Sequence, residues 1–124
     1  MDIVWREDKK LKRFLKKTIK EADVDWVKTS RIFTYRSQNA KTKAYARIWG
    51  LSRIWQKALR EDPAYILEVI SEKFDRLSNH EKNKILLHEL AHIPKNFSGA
   101  LVPHIRRGKR NFYNKVNNLI KRLK

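Results

Sequence analysis

Between positions 6 and 22 the residues Leu11, Phe14, Leu15, Thr18, Ile19 and Ala22 recur every three or four places among lysines and arginines. That period places them on one stripe and predicts an amphipathic helix over roughly 6–22, its stripe against the core. The pattern then shortens. Ile32, Phe33, Thr34 and Tyr35 favour strand, Ser37 to Ala40 has turn chemistry, and Lys43 to Leu51 reads as a returning strand, so a hairpin is expected. Arg53 to Lys57 is expected to continue that strand past Gly50 or to form a separate short one. Pro63 to Leu77 carries two patterns: Ile66, Ile70, Phe74 and Leu77 fit a helix, while Tyr65 to Ile70 has the β-branched content of a strand. Ser78-Asn79-His80-Glu81 is a capping box, and the apolar positions after it predict a helix from Ser78 to Ile93, stopped by Pro94. Phe112, Val116, Leu119, Ile120 and Leu123 predict a last helix over about 110–123.

Composition limits what these elements can build. The chain has 124 residues, 41 % hydrophobic, with three Gly, three Pro and no linker-like stretch, so one α+β domain spanning 1–124 is expected. Its four tryptophans are assigned to the core rather than to base stacking. With no cysteine, a disulfide scaffold, a thiol nucleophile and a Cys-ligated metal are all excluded. The longest aliphatic run is Ile85-Leu86-Leu87 and the first residues, MDIVWREDKK, lack a signal-peptide apolar region, which predicts a soluble, cytoplasmic chain. No Gly-rich phosphate loop is present, so nucleotide hydrolysis is not expected.

The net charge is +17, and it is unevenly spread. Positions 1–20 hold eight basic residues against three acidic, and Lys95 to Lys124 hold nine basic residues and no acid. Such a field attracts polyanions, and nucleic acid met by the basic N- and C-terminal helices is the expected partner of that kind. The alternative is a set of solvated faces that confer solubility.

One constellation carries chemistry. His88-Glu89-Leu90-Ala91-His92 is an H-E-x-x-H inside the capped helix, a match this composition yields by chance on the order of once in a hundred such chains. Imidazoles four residues apart share a helical face and can reach one zinc ion at about 2.0–2.1 Å. Glu89 then projects beside the metal, placed to take a proton from a coordinated water and return it to a leaving amine. A third protein ligand is needed. His80 lies eight residues before His88, roughly 12 Å along the axis at about 1.5 Å per residue, too far to join. No Asp or Glu follows Glu89, which leaves His104, with a buried carboxylate from upstream as the competing source. Tyr113 and Arg106 are candidates to stabilise an oxyanion, weighed against plain surface roles.

The segments AYARIWGLSRIWQKAL, PAYILEVISEKFDRLS and KILLHELAHIPKNFSGALVPH, within Ala44 to His104, resemble a family of small predicted zinc metallopeptidases of archaea and their viruses, the phage-type metallopeptidases. The resemblance covers about half of the chain and leaves the two basic terminal helices outside it. It implies a minimal zincin-like fold with one Zn2+, ligands His88, His92 and His104, and Glu89 as catalytic residue. A more distant likeness to SprT-like zincins implies a strand at Tyr65 to Ile70 and substrate bound as an added β-strand. The expected function is therefore zinc-dependent peptide hydrolysis. The alternatives are a SprT-like protease acting on nucleic-acid-bound proteins, or a basic nucleic-acid-binding protein with a structural zinc site.

Overall fold

The computed structural model describes residues 1–104 and 111–123. Its elements are β1 (Val4–Glu7), α1 (Lys9–Glu21), β2 (Ile32–Gln38), β3 (Ala46–Gly50), α2 (Arg53–Leu59), β4 (Tyr65–Ile70), α3 (Ser71–Phe74), α4 (Asn79–Leu90) and α5 (Asn111–Lys121). The strands form one mixed sheet in the order β1-β2-β4-β3, antiparallel except between β2 and β4, so the fold is α+β. Helices α1, α4 and α5 cover one face and share a core with it, built around Leu15, Leu67, Val69, Leu86, Leu87 and Leu90.

Helix α1 follows the expected stripe, burying Leu11, Leu15, Thr18 and Ile19. It begins at Lys9 rather than position 6 because the Asp8 carboxylate caps it, accepting from the Leu11 N–H at 2.9 Å, while Val4–Glu7 pair with β2 as a strand. The expected hairpin is not formed. Segment Tyr65–Ile70 is strand, and it inserts between β2 and β3, pairing parallel with one and antiparallel with the other. Hydrophobicity decides the order: β4 is buried at five of six positions and takes the centre, whereas β3, with half-exposed Arg47 and exposed Trp49, takes an edge. The stretch Arg53 to Lys57, expected as strand, is part of helix α2 instead. Gly50 ends β3 and Ser52 stands at the helix start in extended conformation, so the chain turns out of the sheet there. Among the described residues no helix is long and apolar enough to cross a membrane.

The other face of the sheet carries no helix of the α1, α4 and α5 layer, and two tryptophans expected in the core lie on it. Trp5 is 53 % exposed and Trp49 47 %, Trp55 on α2 is also exposed, and only Trp26 packs against the core. Between Trp5 and Trp49 sits Glu68, fully buried at the centre of β4. Its carboxylate accepts from the Trp5 indole N–H at 3.2 Å, the Trp49 indole N–H at 2.8 Å, and Arg47 Nε and Nη2 at 3.1 and 2.8 Å. Both indoles turn their N–H inward and lie as a roof over the charge, which accounts for their exposure. Burial pushes the Glu68 carboxyl up, but the Arg47 guanidinium and the hydrogen bonds outweigh it and hold the group below its ordinary value.

A carboxyl whose pKa is depressed by folding stabilises the protein above its unfolded pKa, and that stability is lost as pH falls through the folded value. Thermal melts should therefore drop steeply below about pH 4.5, and less steeply in Glu68→Gln. Arg47→Ala should cost about 2–3 kcal/mol by denaturant titration, below the full cost of breaking a buried pair because Arg47 keeps contact with water.

Candidate metal centre

Helix α4 is capped as its sequence suggests, the Ser78 hydroxyl accepting from the Glu81 N–H at 3.2 Å. Leu86, Leu87 and Leu90 are buried against the sheet, which leaves His88 and Glu89 half-buried at a cleft. The helix closes at Leu90, short of the expected Ile93. Its last turn tightens through bonds from His92 N–H to Glu89 C=O (3.1 Å) and Ile93 N–H to Leu90 C=O (3.0 Å), and His92 rides on that turn. The freed carbonyls are collected by long-range donors. Trp26 Nε1 donates to Ile93 C=O at 2.9 Å and Lys115 Nζ to Ala91 C=O at 3.0 Å, the ammonium resting 4.8 Å from the Trp26 ring centre. A cation at the negative end of the helix dipole is favourable in its own right.

His104 arrives on a loop that is clamped along its length. The buried Tyr65 hydroxyl accepts from Gly99 N–H and donates to Ala100 C=O, both at 2.8 Å. Gln56 Nε2 donates to Ser98 C=O and Leu51 C=O at 2.8 and 2.7 Å. Gly50 and Gly99 press together so closely that a Cβ on Gly50 would stand 2.1 Å from the Gly99 carbonyl oxygen, and Gly99 itself has φ +95°. Neither position has room for a side chain. Beyond them the Val102 N–H donates to the His92 carbonyl at 2.7 Å. Tyr65, Gln56, Gly50 and Gly99 were not identifiable as site residues from spacing, since each acts across a long stretch of chain.

These supports bring three imidazole nitrogens together. His104 Nε2 stands 3.0 Å from His88 Nε2 and 3.1 Å from His92 Nε2. His92 Nδ1–H donates to Val102 C=O at 2.5 Å, which leaves its Nε2 lone pair facing the other two. Tetrahedral bonds of about 2.0–2.1 Å would space such nitrogens about 3.3 Å apart, so the cluster fits one first-row divalent cation after a small opening. Lone pairs converging at this range without a shared proton or cation repel. Desolvation, followed by the neighbouring imidazoles, pushes His88 down to about 4, and burial lowers His92, so both are neutral near pH 7 and have a lone pair that could be donated to a cation. The cluster contains no carboxylate, and His80 is an exposed first-turn residue away from it.

Around the nitrogens the Phe112 ring packs 4.4 Å from His92 and 5.1 Å from both His88 and His104, and Tyr113 stacks on His104 at 6.2 Å. Arg106 lies outside the described residues. Burial pushes the Glu89 carboxyl up to about 7. The cleft in front, about 750 Å³, runs between edge strand β3 and α4 and is closed by Leu101, His104 and α5 residues Val116 and Ile120.

The protein should bind one divalent ion per chain in competition with a chromophoric chelator. His104→Ala should weaken that affinity at least a hundredfold. Tyr65→Phe, which unclamps the loop without touching a histidine, should weaken it about tenfold, as loss of a supporting hydrogen bond does at other metal sites.

No curated protein and no solved structure matches the chain. A family match extends over both basic terminal helices, beyond the segments whose motifs were recognisable, and it covers residues 3–124: the chain belongs to the family described as "Putative phage metallopeptidase".

Proposed function

We propose that this protein is a zinc-dependent peptidase in which His88, His92 and His104 hold one ion and Glu89 is the general base. The observation that carries the reading is the convergence of three imidazoles, His104 Nε2 standing 3.0 and 3.1 Å from the Nε2 atoms of His88 and His92, beside a carboxyl of raised basicity in a cleft open along a strand edge. A bound zinc ion there supplies a Lewis acid for the scissile carbonyl and lowers the pKa of a coordinated water. Glu89 takes the proton at its carboxylate and hands it to the departing amine, and a pKa near neutrality suits both transfers. Among the described residues strand β3 pairs only with β4, so the rail of N–H and C=O groups on its other side can align an extended peptide as an added strand. Phe112 and the Val116–Ile120 side of α5 form an apolar wall beside half-buried His88 and His92, while His104 stays exposed to solvent. This fold is read as zincin-like for the same reasons.

Glu89→Gln should keep the metal and lose about 10²–10⁴-fold in peptide hydrolysis, measured with a quenched-fluorescence peptide and matched metal analysis. Chelation should abolish cleavage, and added zinc should restore it. Glu89 must be ionised to accept a proton, so kcat/KM should rise with pH along an acid limb at or below about 7, because a bound cation pulls the carboxyl down. A variant that sheds the metal while its remaining loaded fraction stays fully active would overturn the role of Glu89.

One second reading has an observation behind it. Helix α1 turns Lys9, Lys10, Arg13, Lys16, Lys17 and Lys20 to solvent, a face suited to phosphates, and substrates carried on nucleic acid would be met there. Arg106, Arg107, Lys109 and Arg110, which extend that expectation to the tail, lie outside the described residues. Duplex or single-stranded DNA should be retarded in a native gel at low salt and released steeply as salt rises. Failure to retard either would leave the peptidase without a tether.

A further inference from the structure

We infer that the cleft selects peptides carrying an acidic side chain within two or three residues of the scissile bond, and that Lys84 reads it. This rests on the peptidase reading and adds the substrate class. The cleft is walled by residues of 39–51, by α4, and by segments that follow Glu89. Residues 39–51 contain no Asp or Glu, and none follows Glu89, so Glu89 is the sole carboxylate lining the cleft among the described residues. Against it stand two basic residues. Arg47 is engaged by Glu68, whereas Lys84 is exposed and has no hydrogen-bond or ion-pair partner among the described residues.

Lys84 sits four residues before His88, one turn of α4 and about 6 Å along the axis, on the same helical face. An extended peptide advances about 3.3 Å per residue, so this spacing corresponds to about two residues, and the long lysine stem covers one more. The neighbouring lining is apolar, with Ile48 on the strand, Ile85 on α4 and Val116 and Ile120 on α5. That wall accepts an aliphatic side chain and offers nothing to a cationic one. A lysine or arginine in the substrate would meet Lys84, a positive cleft and, among the described residues, no carboxylate other than the base itself. Such like-charge juxtaposition discriminates as strongly as the attraction does.

The test reads binding, so that it does not depend on turnover. Two fluorescein-labelled decapeptides with a central Leu, differing only in Glu or Lys at the positions two and three residues on either side, are titrated by anisotropy into zinc-loaded Glu89→Gln protein. The acidic peptide should bind at least tenfold more tightly at low salt, and the ratio should shrink towards unity near 0.5 M salt. Lys84→Gln should remove most of the preference and Lys84→Glu should reverse it. Lys16→Gln with Lys17→Gln, on the distant face of α1, should leave the ratio in place. Equal binding, absence of binding at millimolar concentration, indifference to Lys84, or an equal effect of the α1 pair each overturns the inference. Should the wild type cleave both peptides equally, the substrate class is wrong and the peptidase stands. Should the binding preference hold with no cleavage, the peptidase reading fails instead.

Discussion

Imidazole nitrogen lone pairs repel when they face one another at about 3 Å, and the rest of the molecule is arranged to hold His104 Nε2 that close to the Nε2 atoms of both His88 and His92. Two of the three nitrogens come from α4 and the tightened turn that ends it and cost little, because near-helical spacing puts them side by side. The third comes from an irregular loop whose backbone would otherwise sample many conformations, and ordering each residue costs about 1–2 kcal/mol. Tyr65 and Gln56 reduce that freedom by engaging Gly99, Ala100 and Ser98, and the Gly50–Gly99 contact removes the space into which the loop would relax. A cation at the nitrogens would turn a repulsive cluster into an attractive one, and its binding and the order of the loop would then reinforce each other.

What was readable from sequence follows how local each determinant is. The stripe of α1, the Ser78 cap and the His88–His92 pair are settled within a few turns of chain, and His104 was picked out because no acid follows Glu89. The strand order was not readable. The β-branched and aromatic residues in 31–36 and 43–51 say that both are strands but not that a third, more apolar one separates them, since pairing is a competition among all strands for the centre of the sheet. Helix α2 was missed for a related reason: Ile54, Trp55 and Leu59 are exposed, so no buried stripe marks it, and what it contributes is the single reach of Gln56. The tryptophans misled because a buried partner for an indole N–H, here Glu68, cannot be seen until β1, β3 and β4 are side by side.

The Glu68 network and the loop clamp meet at β3. Arg47 and Trp49 are held from one side by a buried charge, while Gly50, the last residue of the same strand, carries the loop that brings His104. The edge strand is thus stiffened at its middle and at its end, and it is the strand whose free rail borders the cleft. An edge left open to an added strand is also exposed to pairing with the sheet edge of another copy, and half-exposed Arg47, a charge on an edge strand, is a common guard against that second kind of pairing.

The clamp also sets an order of assembly during synthesis. His88 and His92 leave the ribosome after Gln56 and Tyr65 have already been made. The loop they seize, with His104 and the Phe112 ring behind it, comes only later along the chain. A partly made chain that lacks His104 therefore carries only two of the three imidazoles, beside a cleft still missing the residues of α5 that wall it. Its affinity for a divalent ion is accordingly expected to be weaker than that of the folded protein, which ties ion uptake to completion of the loop rather than to formation of α4.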